Sequence, residues 1–393
     1  MKEKITRVMT GKWVVFALTV TVGGLTPVSN VSGAEITWGD ALEGYQQFLQ
    51  RFDRCRFKMS ISTATESPVV PTGSARIQEN VELLRDGNSR FRILFSTSST
   101  FQDKGKSVTQ HEGSEYNIIG STKTWINWHG AKTSEKYVNA WLDSLTDEDR
   151  FDAEYGHQYC PVLNGYLEQN GRSGLVALLR KGNPTLSKTK LNGTDVVRLD
   201  GRTEWGKLSV WLDPNRGYAP LRIAQTKGVD DYIVPGESIG NIDWGKEFAA
   251  PEAKKIGIDY AVDADYGPGT DVGPTITMRA VHTDRYDNGQ KRTIVEDIKV
   301  TNLDLGPIPE REFALTTPVP NKTYVNVENH SNLLYEWRDG QIVKIGIAEP
   351  VEAPTVATSR PLWRWLVGAV LFAVALVIAW LLYSKFRHHK VTQ

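Results

Sequence analysis

Gly236-Glu237-Ser238-Ile239-Gly240 spells G-x-S-x-G, the pattern in which a strained strand-to-helix turn exposes a nucleophilic serine. That geometry needs a strand before the serine and a helix after it. Pro235 interrupts the one, and Asn241-Ile242-Asp243-Trp244-Gly245 starts the other poorly, so a loop is the better reading and a Ser238-dependent hydrolase a distant alternative. Asp263, Asp265 and Asp271 are spaced loosely as in a calcium loop, but its fifth position is Gly267 and its twelfth Pro274, where a bidentate Glu belongs. His111, His129, His157, His282 and His330 are scattered without metal-ligand spacing. The carboxylates of Thr146-Asp147-Glu148-Asp149 suit a helix start, where the macrodipole favours them, better than acid/base work. These patterns argue for a non-enzyme with neither metal nor cofactor.

Cys55 and Cys160 are the only thiols, which excludes a disulfide-dense scaffold and a cysteine-built zinc site. In an exported chain they can oxidise, closing a loop of about 100 residues for up to roughly 4 kcal/mol in the chain-entropy model. A pair of buried thiols is the other reading. Trp125, Trp128, Trp205, Trp211 and Tyr218, with Tyr116, Tyr137 and Trp141 nearby, crowd a strand-rich region. They are candidate lining for an apolar groove, although core or cross-strand packing is the commoner fate of such side chains.

The elements that must position these residues follow from periodicity. Asp40, with Glu43 to complete a capping box, opens a helix whose Ala41, Leu42, Tyr45, Phe48, Leu49 and Phe52 recur at three- and four-residue steps. The period then becomes two: Cys55, Phe57, Met59 and Ile61 alternate with Arg56, Lys58, Ser60 and Ser62, a strand with one buried face. Asp86-Gly87, Asn192-Gly193, Asp200-Gly201, Asn288-Gly289 and Asp339-Gly340 separate strand-like runs as hairpin turns do, which implies a long antiparallel meander. A second helix is expected over Gly174–Lys181, capped by Ser173 and stopped by Gly182 and Pro184, and a helical turn at Thr146. Residues 228–251 and 267–274 read as Gly/Pro excursions, and after Pro318 and Pro320 the chain is expected to leave the main sheet for one more hairpin. This is an α+β layout, a sheet curving round helices that cover one face and leave a cavity.

The two ends set the topology. Residues 1–34 have a basic start through Lys12, an apolar run Trp13 to Leu25 and the small-residue stretch Val31-Ser32-Gly33-Ala34, the parts of a signal peptide. Trp365 to Ser384 is a 20-residue uncharged run, long enough to cross a hydrocarbon core of about 30 Å. Trp363, Trp365, Trp380 and Tyr383 flank it as interfacial aromatics, and Lys385, Arg387 and Lys390 favour the cytoplasmic side. The expected order is signal peptide 1–34, sheet domain 35–320, hairpin and Pro-containing spacer 321–361, one transmembrane helix 362–384 and a cytoplasmic tail 385–393. Over the whole chain 46 basic and 46 acidic side chains cancel, but 35–360 holds 38 basic against 45 acidic. A mildly acidic body offers no stripe to neutralise phosphates, so nucleic-acid binding is not expected.

The stretch from Leu208 through Trp211, Asp213, Pro214, Gly217 and Pro220 to Arg222 and Ile223 resembles the strand–turn–strand of the LolA/LolB-like outer-membrane lipoprotein carrier superfamily and the related RseB amino-terminal domain. The resemblance implies a signal peptide and amphipathic helix ahead of an incomplete β-barrel, whose concave apolar side holds acyl chains under helical lids. Carriers of that kind are smaller and soluble; this chain resembles an enlarged, tethered one. The implied function is a single-pass, membrane-anchored periplasmic protein that binds a lipid or lipoprotein acyl chain in an apolar groove. The alternative is an envelope sensor or assembly protein that binds a protein segment, its partner unknown.

Overall fold

The computed structural model describes residues 36–66, 76–87, 90–103, 106–129, 137–143, 160–167, 173–242, 253–268 and 272–347. The expected signal peptide, the helical turn at Thr146, His157 and the apolar run 365–384 lie outside these residues. Among the described residues no helix is long and apolar enough to cross a membrane.

Three α-helices are described: Trp38–Gln50 (α1), Pro161–Asn164 (α2) and Leu175–Lys181 (α3). A first meander runs through Arg54–Glu66 (β1), Arg76–Asp86 (β2), Arg90–Asp103 (β3), Lys106–Ile119 (β4), Thr122–His129 (β5) and Tyr137–Trp141 (β6). A second comprises Thr185–Leu191 (β7), Thr194–Thr203 (β8), Gly206–Asp213 (β9) and Ala219–Lys227 (β10). A small hairpin of Tyr232–Val234 (β11) and Glu237–Ser238 (β12) follows, and the meander resumes with Lys255–Asp265 (β13), Ile276–Tyr286 (β14) and Lys291–Asp304 (β15). Tyr324–Val327 (β16), Leu333–Arg338 (β17) and Gln341–Ile347 (β18) complete the set.

Sixteen strands form one sheet in the order β18-β17-β16-β6-β5-β4-β3-β2-β1-β15-β14-β13-β10-β9-β8-β7. The two meanders join where β1 pairs antiparallel with β15. The end strands β7 and β18 do not pair with each other, so the sheet is open and no barrel closes. The chain does not leave the sheet after Pro320: β16 adds to it parallel to β6, with Val325 beside Val138 and Val327 beside Ala140. A parallel junction is made across the sheet rather than through a local turn, so no turn signal announces it.

Local expectations met the backbone unevenly. Asn192-Gly193 and Asp339-Gly340 have positive φ at both positions, 50° and 86°, and 51° and 82°, as two-residue hairpin turns require. Asp200-Gly201 is not a turn; it lies inside β8, and the reversal comes after Thr203. Gly201 lies against α3, where a Cβ would make ordinary van der Waals contact with Leu179 Cδ2 at 3.4 Å. The α3 N-cap is Gly174, without a side-chain cap bond, rather than Ser173. Helix α1 begins at Trp38, which puts Asp40 in its first turn rather than at its N-cap, and Glu43 accepts a bond from Gln47.

The sheet has two differently covered faces. On the helix-bearing face, α1 buries Ala41, Leu42, Tyr45 and Phe48 and touches α3 and β10. Phe48 meets Tyr266 edge-on at 5.8 Å, and Leu199, Val210, Ile223 and Val262 form one fully buried row across β8, β9, β10 and β13. The opposite face is covered by the connection from β15 to β16. That strap lays Ile308 and Phe313 on Leu84, and Leu315 and Val319 beside a cluster of Ile126, Val138, Val325, Tyr335 and Trp337.

Polar anchors fix the strap's register. Arg92 donates to the Glu312 carbonyl at 2.9 Å, and Arg56 pairs with the Glu312 carboxylate at 2.8 Å and with Asp304 at 2.6 Å. Glu115, fully buried on β4, accepts the backbone N–H groups of Thr316 and Thr317, each at 2.6 Å, and both threonine hydroxyls.

Candidate functional site

Strand register shows which side chains share the helix-bearing face. One row crosses Ile276, Val300, Met59, Val81 and Phe95, and the next crosses Phe57, Leu83, Ile93, Tyr116 and Trp125. Further along the same strands the face turns polar. Met278, Ile298 and Ile61 share a row with Glu79, Thr97 and Glu112, and the row beyond holds Ala280, Glu296 and Thr63. Along β2, β3 and β4 the face thus changes from apolar to hydrogen-bonding side chains, while Ile77 and Ile294 hold apolar positions in the rows beyond. Phe95, in the row next to the polar one, and Leu83 and Tyr116, one row further, are only half-buried, so apolar surface remains on this half of the face.

The polar end contains a charged group that the sequence reading missed. Asp284 accepts from Lys255 Nζ and pairs with His282 Nε2, both at 2.9 Å, and Lys255 and Asp284 are buried. Burial works to raise the Asp284 pKa, but the His282 hydrogen bond and the Lys255 charge more than offset it and hold the carboxyl below its ordinary range. The pattern was legible: Ile276, Met278, Ala280, His282 and Asp284 alternate along β14 and must share one face. Nearby, fully buried Lys227 donates to the Tyr232 carbonyl at 2.7 Å and lies 5.0 Å from the Trp205 ring centre. Desolvation lowers its pKa to about 7, against the raising charge of Asp231.

The structure scatters the five aromatics expected to line a groove. Trp125 is buried on the helix-bearing face with Lys123 over its ring at 4.8 Å. Trp205 is buried in the β8–β9 turn, edge-on to Tyr232 at 6.0 Å. Tyr218 packs on α1, where a Cβ on Gly44 would fall 2.1 Å from its ring. Trp128 and Trp211 are on the opposite face. Trp128 occupies the place a side chain on Gly113 would take and joins the strap cluster, while Trp211 sits between Arg198 at 4.7 Å and Arg222 at 5.6 Å. Alternation pairs residues by face but does not say which face receives the helices.

The turn motif has a structural account. Asp213 accepts the Asn215 N–H at 2.9 Å, Pro214–Arg216 form a 3-10 turn, and Gly217 adopts φ 63°, where a side chain would be strained. Pro220 offers its carbonyl to the Tyr266 hydroxyl at 3.0 Å, and Arg222 pairs with Asp263 at 3.4 Å. A polar cavity of about 400 Å3 opens beside this turn, lined by Asp213, Asn215, Arg216, Asp265 and Tyr266 among others.

No family profile matches the chain, and no curated protein does. Solved structures do. A LolA superfamily protein from Nitrosomonas europaea overlaps at 13% identity, covering 72% of this chain and 99% of its own, with TM-score 0.30. A putative outer membrane lipoprotein-sorting protein domain from Vibrio parahaemolyticus overlaps at 14% identity, 69% and 95%, with TM-score 0.31. LprF from Mycobacterium bovis overlaps at 11% identity, 69% and 95%, with TM-score 0.24. At these scores the overlaps carry no weight of their own, and the fold rests on the strand order and register above.

Other sequence candidates resolve locally. Ser238 ends a two-residue strand with an ordinary extended backbone, φ −84° and ψ 159°, and a 3-10 turn follows it, so the strained elbow is not formed. Asp263 is engaged by Arg222 and Asp265 by the Gly267 N–H at 2.9 Å, while Asp271 lies outside the described residues. Among the described residues no group of three or more His, Cys, Asp or Glu is placed to hold a metal ion.

Cys55 and Cys160 are free, buried thiols, with Cys160 Sγ 3.7 Å from Met278 Sδ, so the disulfide considered above is not formed. Burial pushes the Cys55 pKa up to about 12 and raises that of Cys160 further, helped by the neighbouring Cys55 charge. Both are therefore expected to stay unlabelled by a thiolate-specific reagent at pH 8 in the folded protein and to react on denaturation. Rapid native labelling of either would contradict this placement.

Proposed function

We propose that the protein is a membrane-anchored, extracytoplasmic binding protein, not an enzyme, that holds a lipid or a lipoprotein acyl chain on the helix-bearing face of its sheet. In this reading residues 1–34 direct export, 362–384 span the membrane once, and the sheet curves round its helices to make the trough. The supporting observation is the division of that face: half-buried Phe95 borders the polar row of Glu79, Thr97 and Glu112, with half-buried Leu83 and Tyr116 one row further into the apolar half. A chain laid on the apolar half gains about 0.8 kcal/mol per buried methylene, and its polar end reaches hydrogen-bonding groups instead of hydrocarbon.

The test is mass spectrometry of lipid co-purified with the full chain, the Phe95→Glu and Leu83→Glu variants, and a Leu94→Ser control on the opposite face. Bound lipid is expected in the parent and control and to fall at least tenfold in the two Glu variants, because a carboxylate on the apolar half must be desolvated for a chain to bind. A lipid-free parent, or equal lipid in all four, would remove the proposal.

A further inference from the structure

The apolar row of Phe57, Leu83, Ile93, Tyr116 and Trp125 crosses the helix-bearing face from β1 to β5. The helices make their main sheet contacts beyond its β1 end, α3 on β8 and α1 and α2 on β10. Its β5 end is polar. Lys123 is two residues from Trp125 on β5, and Trp141 of β6 stands directly opposite Lys123, so strand register puts all three on this face. Half-buried Lys123 holds its Nζ 4.8 Å from the centre of the Trp125 ring, and among the described residues no carboxylate pairs with it. The Trp141 indole N–H is buried and has no acceptor among the described residues. A buried donor left in that state is costly, and native structures keep few of them.

The apolar half of the face has a second polar border, and the two differ in sign. That second border is the row of Glu79, Thr97 and Glu112, which brings two carboxylates. The Lys123 row brings an ammonium and an N–H, with Arg85 further along it, 3.5 Å from Asp53. A head that carries anionic oxygens is repelled by the first border and accepted by the second.

We infer that Lys123 and Trp141 hold the anionic head of a bound amphiphile, a carboxylate or a phosphate, while its acyl chain runs along the row from Trp125 toward Phe57. The inference rests on the lipid-binding reading above and gives it a direction and a ligand class. Five strands spaced by about 4.8 Å make the row roughly 20 Å long, enough for a long fatty-acid chain. At the head, the ammonium and the indole N–H each donate to an oxygen, and the face of the Trp125 ring keeps the ammonium in position. A chain joined to a protein through an ester or an amide brings no anionic oxygen, so this border favours an acidic lipid over a lipoprotein.

The test reconstitutes the full chain in phosphatidylcholine vesicles at pH 8 and photolabels it with hexadecanoate or with hexadecanol, each carrying a diazirine at mid-chain. Labelled peptides are read by mass spectrometry. The variants are Lys123→Gln, Lys123→Arg and Trp141→Phe, with exposed Lys207→Gln on the opposite face as control. Hexadecanoate is expected to label β2, β3 and β4 of the parent and the control at least fivefold above hexadecanol. Its labelling should fall about tenfold in Lys123→Gln and about threefold in Trp141→Phe, and be largely kept in Lys123→Arg. Hexadecanol labelling should stay the same in every variant, which shows that the face itself is intact. Equal labelling by the two probes in parent and variants would overturn the head site and leave the lipid-binding reading standing. Absence of label on this face from either probe would overturn both. Displacement of hexadecanoate by millimolar inorganic phosphate would assign the pair to a free anion and overturn the lipid head.

Discussion

Replacing Glu115 by alanine is expected to lower the unfolding free energy by about 3 kcal/mol, with Glu115→Gln roughly half as costly. The carboxylate is fully buried and accepts from Thr316 and Thr317 through two N–H groups and two hydroxyls. Alanine leaves those donors without their acceptor and opens a space beneath the strap. Glutamine keeps the volume but points an NH2 at two groups that also donate. The loss should be regional as well as global. Amide exchange of Thr316 and Thr317, and of β16 and β17 beyond them, should quicken more than that of β8–β10, because the strap is what carries the chain onto the sheet edge. Urea unfolding gives the magnitude and exchange its location; an unchanged midpoint, or uniform acceleration over the sheet, would show that the apolar contacts of Ile308 and Phe313 hold the strap unaided.

Lys227 gives a comparable effect that depends on pH. Its folded pKa is lowered to about 7 from an ordinary 10.5 by desolvation. Below pH 7 the amine is charged in both states, and the folded protein bears the full cost of burying that charge. Between pH 7 and about 10.5 the folded amine is neutral while the unfolded one still binds a proton, so the unfolded state holds more protons and stability rises with pH, by up to about 1.4 kcal/mol per unit. Lys227→Met removes the titrating group. At pH 6 the variant is expected to be the more stable protein by a few kcal/mol, and by pH 10 the parent should have caught up, retaining its hydrogen bond to the Tyr232 carbonyl. Urea midpoints of both proteins across pH 6–10 measure the convergence. A constant difference would mean that the folded amine titrates like a free one.

Both residues show where local sequence stops informing. Glu115 alternates with Ser114 and Tyr116 like any strand residue, and nothing near it announces that a segment 200 residues away lays two threonines over it. Lys227 reads as the last, solvated residue of a strand until Trp205, Tyr232 and the β11–β12 hairpin close over it. Each is decided by contacts between distant segments, which a pattern of period two does not encode.

What the chain's own pattern determined is the local order: helix α1 from its three- and four-residue spacing, β1 from its alternation, α3 stopped at Gly182, and hairpins at Asn192-Gly193 and Asp339-Gly340. These features follow from backbone geometry within a few residues. What the tertiary structure alone decided is which face received the helices, and with it the opposite placements of Trp125 and Trp128, the strap over Glu115, the parallel junction of β16 with β6, and the buried Lys255–Asp284–His282 group. Sheet faces are equivalent until something packs on one of them, and that choice is made by burial across the whole sheet rather than by any single stretch of sequence.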